Sequence, residues 1–151
     1  MSSPLQGAPP RRGRVIGVDL GARRIGVAIS DSRQRVATGL TVVARSGDLG
    51  ADHRALATLT GDEEAVAVVV GLPTSLDGSL GPAAQGVRQE VEELRSVLDV
   101  PVEVVDERFT TVTAERALHA GGAPARRVRR LVDQEAAAVI LQSWLDRRQG
   151  S

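Results

Sequence analysis

Two apolar runs separated by a short polar turn open the chain. Val15, Ile16 and Val18 read as a buried strand and Ile25–Ser30 as a second, with Gly21–Arg24 as the bend between them. Val36–Val43 follows the polar turn Asp31–Arg35 as a third strand. Connections this short make the three an antiparallel meander. Ala65–Val70 is apolar without alternation, the pattern of a strand buried on both faces, and predicts a parallel strand in the middle of the sheet. Val102–Val105, after Pro101, predicts one more short strand. Elsewhere the apolar positions take helical spacing. Ser46–Ala51 reads as a loop, and Ala55, Leu56 and Leu59 then mark a helix over Asp52–Leu59, closed by Gly61. Val87, Val91, Leu94 and Leu98 mark another, opened by Pro82, whose missing N–H costs nothing at a first helical position. Thr111 caps a helix to about Ala120, ended by Gly121, Gly122 and Pro124, and a last helix starts between Arg126 and Val132 and runs to about Arg148. The order predicts an α/β fold: a five-stranded mixed sheet, three antiparallel strands then two parallel ones, with helices on both faces.

A length of 151 residues suits one domain over residues 14–148, preceded by a tail at 1–13 whose three prolines and want of an apolar core of its own predict disorder. That tail has the pattern of neither a signal peptide nor an anchor, and no apolar run approaches the ~18 residues of a membrane helix. Without cysteine there is no disulfide framework and no thiolate metal site, which suits a cytoplasmic protein. The net charge of zero conceals an uneven distribution. Residues 11–35 carry seven arginines and two acids, and 108–130 six arginines and one acid, whereas 61–107 carry eleven acids and two arginines. A basic face for polyanions is one consequence, and ordinary solvated surface is the other. With one Phe and one Trp, base stacking on aromatic platforms is not the main binding mode.

Three positions could carry chemistry. Asp19 is the only acid in Arg14–Ser30 and stands where the first apolar run ends, so it sits at the rim of the sheet, either aimed at a ligand or capping the turn. Asp106 and Glu107 end the last strand, where ligand sites of open α/β sheets gather, or else they form salt bridges in a loop. Asp133 heads a stripe of Ala137, Ile140, Leu141, Trp144 and Leu145 at helical spacing, while Glu135 falls on another face. It is a buried-face acid if the helix starts near Arg126 and a helix cap if the helix starts at Asp133. Three carboxylates converging from two strand ends and a helix need a cation between them. Hard oxygen donors without histidine or cysteine suit Mg²⁺ or Mn²⁺, and two such ions clamp the attacking and leaving oxygens of a phosphoryl displacement.

The stretches GVDLGARRIGVAISD, VVVGLPTSLDG, VDERFTT and DQEAAAVILQSWLD, in this order, resemble the YqgF/RuvX family over about residues 14–148. The resemblance implies a ribonuclease H-like fold related to RuvC-type Holliday junction resolvases, and a nuclease that matures the 5′ end of 16S ribosomal RNA. It carries the family's acids onto Asp19, Glu107 and Asp133. Asp106 stays the alternative to Glu107, because a register error of one residue swaps them. RuvC-type resolvases carry a further acid one turn along the last helix, where this chain has Ala136. The expected substrates are pre-rRNA, within ribosomal precursor particles, or four-way branched DNA, whose symmetric cleavage would call for a homodimer. Arg23, Arg24 and Arg108 neighbour the acids and could hold flanking phosphates, or simply be exposed. The loop from Gly71 through Asp77 and Gly78 to Gly81 could cradle a phosphate on backbone N–H groups, or merely connect a strand to a helix. Arg126, Arg127, Arg129 and Arg130 read as a solvated helix entrance, and His53 and His119 as exposed. Two other readings stay open: the phosphate-binding hairpin of actin-like kinases and ATPases, and a non-catalytic RNA-binding assembly factor.

Overall fold

The strand beginning at Val15 is buried along its whole length because it forms the centre of the sheet. In the computed structural model, which describes residues 9–73, 81–107 and 126–149, the elements run β1 (Val15–Leu20), β2 (Arg24–Ser30), β3 (Ala37–Ala44), α1 (Leu49–Asp62), β4 (Ala67–Leu72), α2 (Pro82–Val97), β5 (Val102–Asp106) and α3 (Arg126–Gln149). The sheet order is β3-β2-β1-β4-β5. β1, β2 and β3 pair antiparallel as a meander; β4 pairs parallel with β1, and β5 parallel with β4. The expected mixed sheet is therefore present, with β1 rather than β4 at its centre. The stretch from Thr111 to Ala120 lies outside the described residues.

Alternation along the strands sorts side chains onto two cores. Ile16, Val18, Ile25, Val27, Val68 and Val70 face α1 and α2, meeting Leu56, Val87, Val91 and Leu94. Val15, Ala28, Ala67, Val69 and Val105 face α3, meeting Ala137, Ile140, Leu141 and Leu145. Helices thus cover both faces, which is why the parallel strands need no polar side. Of residues 1–13, the first eight lie outside the described residues. Gly13 donates its N–H to Ser32 O at 2.8 Å, and Pro10 O accepts from Gln34 Nε2 at 2.9 Å.

Several strand and helix ends shift by one or a few residues from the sequence reading, and two of the shifts have a clear local reason. α1 starts at Leu49 instead of Asp52 because Asp48 caps it, accepting the Ala51 N–H at 3.1 Å. β4 continues through Gly71 and Leu72, pairing them with Val105 and Asp106, so Gly71 belongs to the strand and not to the following loop.

Candidate active site

The site begins with glycines. α3 crosses the sheet so closely that a Cβ added at Gly26 would lie 2.2 Å from Asp133 O, and one at Gly17 2.6 Å from Leu141 Cβ. A Cβ at Gly71 would lie 2.5 Å from Ile140 Cδ1 and 3.4 Å from Glu107 Cγ. Ala136 and Ala137, both buried, present the small helix surface that makes this approach possible.

Asp19 lies in this glycine row. Its registered neighbour on β2 is Gly26. On β4, the last registered pair is Val18 with Val70, so the next position beside Asp19 is Gly71. Neighbouring strands lie about 4.8 Å apart, and with no side chain at either flanking position Asp19 occupies the rim between two gaps. Gly17, two residues earlier, faces α3, so Asp19 faces α3 as well. It is 5% exposed. The turn that follows is tight: Gly21 donates its N–H to Asp19 O at 3.0 Å, and a Cβ at Gly21 would lie 2.5 Å from Arg24 O.

Glu107 fills the gap over Gly71 from the end of β5, on the same α3 face, and is 4% exposed. Asp106 pairs with Leu72, whose side chain belongs to the α1–α2 core, so Asp106 is on the opposite face. Asp133 lies seven residues into α3, so it is not the helix cap; its backbone covers Gly26, beside Asp19. Its carboxylate accepts from Arg24 Nε at 2.6 Å, with the two side chains 30% and 19% exposed. The arginine read as a phosphate contact thus has a carboxylate partner. Arg23 is exposed, whereas Asp77, Gly78 and Arg108 lie outside the described residues.

The sheet therefore collects Asp19, Glu107 and Asp133 on one face and one rim. It does not close them around an ion: among the described residues no group of three histidine, cysteine, aspartate or glutamate side chains stands close enough to hold a metal. The donor chemistry fits a hard divalent cation, with Asp133 turned to Arg24 in the present arrangement.

Behind the turn lies a network that sequence patterning missed. His53 is buried on α1, not exposed, with Nε2 2.8 Å from Glu90 Oε2 on α2. Arg45 grips Glu90 with both terminal nitrogens, at 2.7 and 3.0 Å, and donates from Nε to Gly21 O at 3.0 Å. The turn after Asp19 is thereby tied to both helices of the far face. Desolvation opposes ionisation of Glu90, but Arg45 and His53 more than offset it and hold the carboxyl below its ordinary value. Because the folded value is depressed, Glu90 contributes stability above its unfolded value of 4.5 and loses it as pH falls through the folded one. Glu90→Ala is expected to cost about 3 kcal/mol, since it strands a largely buried guanidinium. Urea titrations should show this gap at neutral pH, and it should narrow in acid well below pH 4.5.

With this geometry in place, comparison with known proteins decides the family. The RuvX family, described as Holliday junction resolvase, matches residues 13–147. This chain belongs to that family. A relative from Anaeromyxobacter dehalogenans (strain 2CP-C), named "Putative pre-16S rRNA nuclease", is 48% identical over 135 residues, covering 89% of this chain and 98% of its own. One of the same name from Rhodococcus opacus (strain B4) is 48% identical over 146 residues, covering 94% and 82%. Among solved structures, T. thermophilus RuvC in complex with a Holliday junction substrate matches with a TM-score of 0.57 at 18% identity, covering 91% of this chain and 96% of that one. At that identity the likeness concerns the fold, which is ribonuclease H-like as the sequence resemblance implied. Among the described residues no helix is long and apolar enough to cross a membrane.

Proposed function

We propose that this RuvX-family protein is a metal-dependent nuclease that hydrolyses phosphodiester bonds at the 5′ end of pre-16S ribosomal RNA in the cytoplasm. The observation that carries the reading is the convergence of Asp19, Glu107 and Asp133 on one rim from three distant parts of the chain, beside glycines that let α3 pack closely there. The substrate class follows the name carried by the 46–48% identical relatives.

In this reading Asp19, Glu107 and Asp133 hold divalent ions, Mg²⁺ or Mn²⁺ and two in number. When bound, such ions neutralise charge on the attacking and leaving oxygens and ease deprotonation of water. Arg24 orients Asp133, and exposed Arg23 is placed to meet a flanking phosphate. Water forms the new P–O bond as the bond from phosphorus to the 3′ oxygen breaks. Its proton is passed on at the carboxylate rim, and the leaving oxygen ends as a hydroxyl.

A second reading, resolution of four-way DNA junctions, is favoured by the family description and by the RuvC fold. Incubating the protein with a pre-16S RNA fragment and with a synthetic four-way junction, each with Mg²⁺, Mn²⁺ or EDTA, separates the two. Metal-dependent cleavage of the RNA with the junction left intact is the expected result. Cleavage of the junction alone would transfer the function to DNA, and no cleavage of either would leave an RNA-binding assembly factor as the better account.

A further inference from the structure

At the end of the sheet remote from the carboxylates, five arginines line one cleft of about 400 Å³: Arg11, Arg12, Arg33, Arg35 and Arg148. Among the described residues no acid lines it. We propose that this cleft is a second phosphate-binding site, which grips the backbone of the nucleic-acid strand several nucleotides away from the scissile bond. The identity of the polyanion rests on the nuclease reading; the site itself rests on how the fold builds it.

Gln34 does the assembling. It sits in the β2–β3 turn at φ 59°, a left-handed conformation, and is only 1% exposed. Its Nε2 donates to Pro10 O at 2.9 Å and Gly13 O at 3.1 Å, and its backbone carbonyl accepts from Gln149 Nε2 at 3.0 Å. Two remote segments, one carrying Arg11 and Arg12 and the other Arg148, are thereby tied to the turn that carries Arg33 and Arg35. With Gln34 turned inward, its neighbours Arg33 and Arg35 are both exposed. Arg148 lies over the Trp144 ring, 4.8 Å from its centroid, and donates to Pro9 O, which fixes the segment carrying Arg11 and Arg12 beside it.

Gathering five guanidinium groups this way is unfavourable unless something negative joins them. Burial and then the charge of Arg11 make Arg148 easier to deprotonate, against a weaker opposite pull from Glu103. Asp31 and Glu103 offset part of this charge through Arg35 and Arg148, while Asp146 accepts from Gln142 at 2.9 Å, and none of the three lines the cleft. Planar guanidinium forks fit phosphate oxygens bidentately, and several on one wall fit successive phosphates.

The spacing suits one extended ligand. Arg148 follows Asp133 by 15 residues on the same helix, about 22 Å along its axis. At about 3.4 Å per step of a helical strand, this spans roughly six or seven nucleotides. A strand cleaved at the rim can therefore be held at the cleft as well.

The test is fluorescence anisotropy in EDTA, so that nothing is cleaved, with a labelled single-stranded RNA of about 24 nucleotides over a range of salt. Wild-type protein is compared with an Arg33→Ser/Arg35→Ser double variant, whose changes lie on an exposed turn. Each arginine that neutralises a phosphate adds about 0.7 to the log–log salt slope, so removing two should lower the slope by about 1.4, while an Arg54→Ser/Arg88→Ser control, changed at exposed positions on α1 and α2, keeps the wild-type slope. An unchanged slope in the Arg33→Ser/Arg35→Ser protein overturns the proposal, as does an equal loss in the control, which would mean only a diffuse field. These outcomes are independent of cleavage, so an inactive wild type would count against the nuclease reading while leaving the cleft to be judged by binding alone.

Discussion

An Asp19→Asn protein is expected to fold like its parent and to lose cleavage by about three orders of magnitude. Asparagine keeps the shape of the side chain, so the packing of β1 against α3 is preserved, but the formal charge is gone. A ligand that helps to place divalent cations is worth several kcal/mol of transition-state stabilisation, and about 4 kcal/mol corresponds to about a thousandfold. The matched control is Asp106→Asn, one residue from Glu107 but on the opposite face, which should cleave within a fewfold of wild type. Cleavage assays with Mg²⁺ or Mn²⁺ on folded proteins decide it. Undiminished metal-dependent activity in Asp19→Asn would remove Asp19 from the mechanism, and collapse of activity in Asp106→Asn would move the ligand from Glu107 to its neighbour.

How much of this site could be read from the sequence depended on whether each signal was local. The hairpin around Asp19 was legible because two apolar runs and Gly21 lie within a few residues of one another. Asp133 was legible as part of the sheet-facing stripe because helical spacing persists for three turns after it, and the start of α3 at Arg126 excludes the cap alternative. Glu107 against Asp106 was not legible. Adjacent strand residues point to opposite faces, and only the pairing of Leu72 with Asp106 fixes which is which.

The buried polar residues show the same limit more sharply. His53 lies among polar neighbours in sequence and reads as exposed, yet it is 2% exposed, because its partner Glu90 arrives from another helix 37 residues away. Gln34 is buried through contacts with Pro10, Gly13 and a residue 115 positions distant. Periodicity records which face a residue takes within its own element; it carries no record of a polar partner supplied by another. The uneven arginine distribution was visible, but its meeting with Arg148 at one cleft required the chain to be folded.

A Gly26→Ala protein is expected to show the largest loss of stability among single-methyl changes at the site, about 3 kcal/mol, the upper end of ordinary overpacking. Gly26 is in β2 with a backbone conformation that alanine accepts, so the cost comes from space alone. The new Cβ would stand 2.2 Å from Asp133 O and 2.8 Å from Asp133 C. Those are backbone atoms of a helix, which cannot rotate aside as the tip of a long side chain can. α3 must therefore shift away from the sheet, loosening the contact of Leu141 over Gly17 and of Ile140 over Gly71. For a chain of this size the loss corresponds to a fall in Tm of about 10 °C by calorimetry. Cleavage should fall as well, although no carboxylate is altered, because Asp133 moves with the helix. Gly86→Ala supplies the contrast: it lies on α2, where a Cβ meets nothing within 4 Å. There alanine should stabilise by up to about 1 kcal/mol through helix propensity. A Gly26→Ala protein with unchanged Tm would mean that α3 is free to yield, and the close approach that aligns Asp133 with Asp19 would then not be what holds the site together.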